Sequence, residues 1–275
     1  MKSRNTLSNL IFTDTHAHLY LEEFDSDRQQ AVSRALDAGV KYIFLPNIDS
    51  GSIKAMQDAG CRWPDICYPM MGLHPTSVKA NFRDELDIVR KYLADKAYRF
   101  VAVGEIGIDL YWDKTFEKEQ KEAFNIQLDL ALEYYLPVAI HTRNSMEVAL
   151  EILEARNDKG LRGVFHCFSG DVPQAERAVR MGFYLGIGGV VTYKKSGLAD
   201  VVAAMPLENL LLETDAPFLP PVPHRGQRNE SSYIPLIAHK ISEIKNVSLE
   251  EVGRVTTNNA LKLFTKDEGR LTNSI

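Results

Sequence analysis

Eight short apolar runs recur along the chain, and segments with helical spacing separate them. Most of these runs are nearly continuous stretches of Val, Ile, Leu and Phe, which is typical of parallel strands covered on both faces. The pattern therefore predicts an α/β protein built on a parallel sheet. The runs occupy residues 10–13, 41–46, 66–72, 99–104, 137–140, 163–165, 183–187 and 209–212.

The segments between the runs carry the signals of amphipathic helices. In the first of them, Ala31 and Ala35 share one face, and Gly39 follows as a typical helix stop. Eight strands alternating with helices over about 250 residues predict a single (β/α)8 TIM barrel. An open doubly wound sheet is the alternative, but no GxGxxG turn follows the first run. The predicted helices cover residues 27–38, 52–59, 84–94, 117–135, 145–155, 173–181, 196–204, 232–244 and 249–264.

The barrel is expected to span residues 11–264, between a short polar segment at 1–10 and a tail at 265–275. The first ten residues lack the apolar core of a signal peptide, and no apolar run approaches the roughly 20 residues of a membrane span. The three cysteines form no CxxC pair, which fits buried thiols in a reducing compartment. We therefore expect a cytoplasmic protein without a membrane segment.

The net charge limits how this chain can bind nucleic acid. Its 275 residues include 32 basic and 37 acidic side chains, and the formal charge is -5. Proteins that hold nucleic acid by bulk charge are basic, so the composition argues against that mode of binding. A local cationic site is compatible with the composition.

Polar side chains follow six of the eight predicted strands, at the end where barrel enzymes carry their catalytic residues. His16 and His18 follow the first strand two residues apart, so both are expected on the same side of the chain. Each such residue alone has a structural explanation, such as a capping carboxylate or a polar core histidine. A buried cluster of them is costly unless protons or metal ions neutralise it, which predicts a metal centre. The strand ends carry His16, His18, His74, Glu105, Asp109, His141, Arg143, His166 and Asp215.

At these positions the chain resembles the TatD family of metal-dependent deoxyribonucleases, within the amidohydrolase-like barrels. Two residues depart from the family pattern. Tyr20 stands where the family commonly has an acid, and we expect this change at the rim of the site. Ser145 stands where the family motif prefers Thr or Ala. The resemblance is carried by residues 12–19, 103–109, 137–143, 210–217 and 225–230, and also by 72–75, 166–170 and 257–260.

The resemblance implies a centre of two divalent cations. In the family, ligands fall on positions that match His16, His18 and Asp215 for one ion and His141 and His166 for the other, with Glu105 between them. Neutral histidines and two carboxylates leave two such ions with a net positive charge, which suits an anionic substrate. The family's nuclease activity is associated with Mg, whereas four imidazoles favour Zn, Mn or Ni.

The resemblance further implies hydrolysis of DNA phosphodiester bonds, by a hydroxide that the metal ions hold and that Asp215 orients. Asp215 and Glu105 would be the catalytic residues. His74, Arg143 and Arg225 are the expected substrate-binding residues, and a guanidinium such as that of Arg143 can grip a phosphate through two hydrogen bonds. We expect a monomeric exonuclease that acts on single strands or ends, binds DNA transiently and needs no protein partner.

A different hydrolase on the same dinuclear site is the alternative, because a barrel alone does not determine the reaction. A lactonase, an amidase and a phosphotriesterase are the members of this alternative class. A hydroxide between two metal ions attacks a carbonyl carbon as readily as phosphorus. The position of Arg143 and the loop that contains Arg225 favour a phosphate substrate.

Several residues near the predicted site keep two interpretations each. Asp14 is either an acceptor for a ligating imidazole or the acid of a buried ion pair. Tyr111 and Trp112 either stack on a base or pack within their loop. For Arg228 the structural role is favoured.

Overall fold

The computed structural model describes residues 10–265, so residues 1–9 of the predicted polar segment and residues 266–275 of the predicted tail lie outside the described residues. Within this range, eight strands alternate with helices along the chain, close to the predicted positions. The strands are β1 (Phe12–Asp14), β2 (Val40–Leu45), β3 (Cys67–Pro69), β4 (Val103–Asp109), β5 (Val138–Arg143), β6 (Gly163–Phe165), β7 (Tyr184–Ile187) and β8 (Leu210–Leu212).

The α-helices of the described range also fall where the spacing of apolar residues predicts them. In this part of the chain, no helix has both the length and the apolar character that crossing a membrane requires. The helices are α1 (Arg28–Asp37), α2 (Ile53–Arg62), α3 (Phe82–Ala94), α4 (Glu117–Glu133), α5 (Met146–Arg156), α6 (Val172–Arg180), α7 (Leu198–Ala204), α8 (Ile234–Lys245) and α9 (Leu249–Phe264).

The strands pair in parallel in the order of the sequence. Continuous ladders join β1 to β3 and β4 to β8. Two isolated parallel bridges connect these ladders, one between Met71 and Val103 and one between Ala17 and Ala216. The strands therefore follow one another around a closed ring, which is the (β/α)8 barrel that the sequence predicts.

Strands β4 and β5 extend further toward their C-terminal ends than predicted, which changes the position of several site residues. The sequence pattern ends these strands at residues 104 and 140, where the apolar runs end. In the structure Gly107 has φ +137°, and a Cβ atom there would lie 2.1 Å from the carbonyl oxygen of His141. Glycine thus lets β4 continue closely along β5. Glu105 and His141 consequently lie within strands rather than after them.

The buried core has two parts. A large cluster lies between the strands and the helices, and a smaller one collects strand residues that alternate with it, such as Phe44, Ala139 and Leu211. Helix α9 adds its last turn to the smaller cluster, where the ring centroids of Phe264 and Phe44 are 4.5 Å apart. We infer that the smaller cluster fills the ring and that α9 closes its lower end, which leaves the upper end for polar residues.

The cysteines only partly follow the expectation of three buried thiols. No disulfide joins them in the described range. Cys67 is buried in β3, but Cys61 is exposed because it lies on the outer face of α2.

The two neighbouring asparagines of α9 provide a test of how this helix is attached to the barrel. Asn259 is buried, and its amide donates to the carbonyl oxygens of Leu207 (3.0 Å) and Leu210 (2.9 Å). Asn259→Ala leaves both acceptors without that donor, so we expect the free energy of unfolding to fall by about 1–3 kcal/mol. Asn258 is exposed, and Asn258→Ala should change the free energy of unfolding by less than about 0.5 kcal/mol. Chemical denaturation measures both, and equal losses would contradict this assignment.

Candidate metal centre

A single buried carboxylate, that of Glu105 on β4, lies at the centre of the polar cluster. Its Oε2 atom is 3.0 Å from Nε2 of His16 and 3.5 Å from Nε2 of His18. Its Oε1 atom faces the histidines of the other side of the barrel. These are His141 (Nδ1, 2.8 Å), His74 (Nε2, 3.2 Å) and His166 (Nε2, 3.3 Å).

Asp215 completes the cluster from the end of β8. Its Oδ1 atom lies 3.6 Å from Nε2 of His18 and 3.8 Å from Nε2 of His16. The structure thus brings together all six residues that the family resemblance gives as ligands. The structure also places His74 in the cluster, directly against Glu105. The sequence analysis expected His74 to bind the substrate.

The donor atoms form three groups that could each hold a cation, with all atoms of a group within 4.8 Å of one another. Imidazole nitrogens and carboxylate oxygens are the usual ligands of Zn²⁺ and of related transition ions. The groups are His16, His18 and Glu105; His16, His166 and Asp215; and His74, Glu105 and His141.

The electrostatics of the cluster fit cation binding. Within residues 10–265, no lysine or arginine lies within ion-pair distance of Glu105 or Asp215. Burial lowers the pKa of His166, but Glu105 and its neighbouring carboxylates raise it well above the ordinary value. Burial likewise lowers the pKa of His141, but its hydrogen bonds to Asp109 and Glu105 outweigh burial and raise the pKa above the ordinary value. Protons on these rings therefore compensate the acids, and a metal ion replaces such protons when it binds.

The outer hydrogen bond of His18 determines which of its nitrogens can bind a metal. Tyr20 donates its hydroxyl hydrogen to the carbonyl oxygen of Pro46 (2.6 Å), so its oxygen is an acceptor toward Nδ1 of His18 (3.0 Å). Nδ1 therefore carries the hydrogen, and Nε2 presents its lone pair to the cluster. Tyr20 is buried beneath His18 and does not lie at the rim, contrary to the expectation from the sequence.

His141 and His166 are oriented by carboxylates in the same way. Nε2 of His141 lies 3.0 Å from Oδ2 of Asp109 and keeps its hydrogen there, so Nδ1, which faces Glu105 at 2.8 Å, is the atom that can give up its proton and bind a cation. Nδ1 of His166 is 3.2 Å from Oε1 of Glu213, within ion-pair distance but outside the alignment of a hydrogen bond. The nearby carboxylate still favours a hydrogen on Nδ1, so Nε2 of His166, which faces Glu105, is the atom that can give up its proton and bind a cation.

His74 has the opposite arrangement. The backbone N–H of Thr76 donates to Nδ1 of His74 at 3.1 Å, so Nδ1 must carry the lone pair. In the neutral ring Nε2 then carries the hydrogen and points it at Oε1 of Glu105. His74 is thereby suited to donate a hydrogen bond rather than to bind a metal.

A cavity of about 650 Å³ opens over the cluster, and Arg143 is among the residues that line it. Arg143 lies over the ring of Tyr111 at 3.9 Å, and no carboxylate of the described residues pairs with it. Arg225 is exposed over the ring of Tyr193 at 4.5 Å and is not among the lining residues. Arg228 pairs with Asp27 at 2.6 Å, which bears out its structural interpretation.

Neither sequence interpretation of Asp14 is correct. Its carboxylate accepts hydrogen bonds from the backbone and the hydroxyl of Thr214 (2.9 and 2.6 Å) and from the backbone N–H of His16 (3.3 Å). Asp14 thus joins the segment after β1 to the segment after β8, and among the described residues it contacts neither an imidazole nitrogen nor a basic side chain. Burial raises its pKa to about 7.

Sequence reasoning did not assign roles to Asp109 and Glu213, which orient two of the histidines. Both lie an even number of residues from a predicted ligand, Asp109 four after Glu105 and Glu213 two before Asp215. The two-residue period of a strand could have placed them on the same face. Glu213 is fully buried against Gly186, where a Cβ atom would lie 2.2 Å from its Oε2.

Tyr20→Phe tests the role of the hydrogen bond behind His18. Loss of the hydroxyl removes the acceptor that fixes this ring, so we expect divalent cations to bind about 10- to 100-fold more weakly. Tyr193→Phe is a matched control, because Tyr193 also donates to a proline carbonyl, that of Pro220 (2.7 Å), away from the histidines. Isothermal titration with Mn²⁺ measures both affinities. Wild-type affinity in Tyr20→Phe would contradict the prediction.

Comparisons with known proteins identify the family of this chain. The family model described as TatD related DNase matches residues 13–265. The chain is 37% identical to the uncharacterized metal-dependent hydrolase YabD of Bacillus subtilis, over 91% of this chain and 98% of that protein. It is 34% identical to the uncharacterized metal-dependent hydrolase YjjV of Escherichia coli, over 92% and 97%. The crystal structure of YjjV superposes with a TM-score of 0.87 and covers 92% of this chain and 97% of that chain, at 33% identity. The chain therefore belongs to the TatD family of metal-dependent hydrolases.

Proposed function

We propose that this protein is a deoxyribonuclease that removes nucleotides from single-stranded DNA or from DNA ends with the help of two divalent cations. The proposal rests on Arg143, which lines the cavity over the histidine cluster. Its guanidinium has no carboxylate partner in the described range. The description of the matching family model, TatD related DNase, supports the same activity.

The resemblance to the family suggests which residues would hold the two cations. His16, His18 and Asp215 would hold one, His141 and His166 the other, and Glu105 would contact both; the polar cluster contains all six of these residues. Bound there, the ions supply Lewis-acid chemistry, that is, polarisation of the phosphate and activation of water. Mg²⁺ is the cation we expect to support the activity, and Zn²⁺, Mn²⁺ or Ni²⁺ can occupy the same ligands.

Asp215 is the residue suited to handle the attacking water. Its side chain is 14% exposed, whereas that of Glu105 is 2% exposed, so Asp215 is the more accessible carboxylate from the cavity. A carboxylate in this position orients the water by accepting one hydrogen bond and takes up its proton.

Two side chains are suited to hold the phosphate. Arg143 can donate two parallel hydrogen bonds to phosphate oxygens, which a lysine cannot do in the same geometry. His74 can donate its Nε2 hydrogen to a further oxygen, because Thr76 fixes its tautomer. Both residues line the same cavity.

The unpaired charge of Arg143 favours a phosphodiester over the alternative substrates. Lactones, amides and phosphotriesters carry no charge at the reacting group, so they gain little from a guanidinium beside it. A phosphodiester is an anion and pairs with it directly.

An end-labelled single-stranded oligodeoxynucleotide, incubated with metal-reconstituted protein, tests the proposal. We expect shortening of the strand that stops with chelator and is lost in Asp215→Asn and Glu105→Ala. Arg143→Ala should raise KM roughly 10- to 100-fold through loss of charge-assisted hydrogen bonds, with partial recovery in Arg143→Lys. Arg90→Ala is the control, because Arg90 is an exposed residue of α3. Turnover of lactones or esters without DNA cleavage under any divalent cation would overturn the proposal.

A further inference from the structure

Two large aromatic side chains are exposed where the cavity meets the solvent. Trp112 is 69% exposed and Phe218 is 47% exposed, and both line the cavity over the histidine cluster. Exposed aromatic surface at the mouth of a polar cavity is a typical feature of a binding site, because a ligand can cover it.

Trp112 is held by the carboxylate that also orients a histidine of the centre. Oδ1 of Asp109 accepts hydrogen bonds from the backbone N–H groups of Tyr111 (2.9 Å) and Trp112 (3.4 Å). Its other oxygen lies 3.0 Å from Nε2 of His141. The backbone that carries Trp112 is thereby fixed relative to the reacting centre.

Tyr111 supports Arg143 and is not itself open to stacking on that face. The guanidinium of Arg143 lies 3.9 Å over the Tyr111 ring and 5.0 Å from the Trp112 ring centroid. The Tyr111 and Trp112 rings meet edge to face, with centroids 4.8 Å apart. This arrangement fixes Arg143 with an aromatic ring, which leaves its charge unneutralised, and Trp112 is the more exposed of the two rings.

Phe218 is fixed on the other side of the centre. Its ring lies near that of His18, with centroids 6.1 Å apart. Its backbone N–H donates to the carbonyl of Asp215 (2.8 Å), and its own carbonyl accepts from the amide of Asn229 (2.6 Å). The exposed ring therefore has a defined position next to the more accessible carboxylate.

The surrounding charge indicates where a nucleic acid strand does not run. A neighbouring cleft of about 800 Å³ lies beyond Tyr20 and Ile48. A polyanion is repelled there, because five carboxylates oppose two guanidinium groups. The carboxylates are those of Glu22, Glu23, Asp25, Asp49 and Asp58, and the guanidinium groups are those of Arg28 and Arg62.

We propose that Trp112 and Phe218 are stacking platforms for two unpaired nucleobases that flank the phosphate held by Arg143. This inference rests on the proposed function and specifies its substrate as a single strand. Base faces are open to side chains in a single strand and covered by neighbouring base pairs in a duplex. The site therefore selects single strands by stacking rather than by bulk charge.

Tryptophan fluorescence tests the contact directly, because the sequence contains only two tryptophans, Trp63 and Trp112. In a Trp63→Phe variant of the metal-loaded protein, the emission comes from Trp112 alone. We expect quenching by a single-stranded oligonucleotide with phosphorothioate linkages, which slow its hydrolysis. The same oligonucleotide with abasic terminal positions and a blunt duplex should quench little. Equal quenching by the abasic strand would overturn the inference.

Kinetics separate this inference from the proposed function. Trp112→Ala and Phe218→Ala should each raise KM for the normal strand roughly 5- to 100-fold, and leave KM for the abasic strand unchanged. The control is Tyr135→Asn, because Tyr135 is 78% exposed outside the cavity lining and its φ of 56° tolerates asparagine. Wild-type protein that cleaves neither strand would refute the nuclease proposal. Wild-type protein that cleaves both strands with equal KM would refute only the stacking.

Discussion

Glu105 is one buried carboxylate with five imidazole nitrogens within 3.5 Å, and the rest of the site depends on that arrangement. An isolated carboxylate at this depth would be destabilised by several kcal/mol, so it persists only with positive charge beside it. The barrel supplies that charge by bringing the ends of distant strands to one place. The parallel arrangement is therefore a requirement of the site, since each strand that contributes a polar residue must deliver it at the same end.

The hydrogen bonds behind the histidines give each ring its role. Tyr20 and Asp109 keep hydrogens on the outer nitrogens of His18 and His141, which leaves the inner nitrogens, those that face Glu105, to bind a cation. The backbone of Thr76 does the reverse for His74, which becomes a donor within the same cluster. The histidines thus have two roles: some are suited to bind a metal ion, and His74 is suited to donate a hydrogen bond to the substrate. The hydrogen-bond partner of the outer ring nitrogen determines which role each histidine has.

The sequence predicts the eight strands, the barrel and the set of residues gathered at its upper end, because parallel strands bring their final residues together. It does not predict that β4 continues to Asp109, since the apolar run ends at Gly104 and the close approach of β5 at Gly107 is visible only in the structure. The partners of Asp14 could not be found, because Thr214 lies 200 residues away. The burial of Tyr20 likewise depends on a contact with a different loop, through the carbonyl of Pro46. The tautomer of His74 depends on a local hydrogen bond from the backbone of Thr76, whose presence the residue types alone do not reveal.

Anomalous scattering from crystals loaded with Mn²⁺ would test most directly whether these hydrogen bonds divide the histidines into ligands and a donor. The wild-type protein and His74→Ala should each show two ions, because His74 presents a hydrogen rather than a lone pair. His141→Ala should keep only the ion beside His16 and His18. Loss of an ion in His74→Ala, or a single ion in the wild-type protein, would contradict this division of roles.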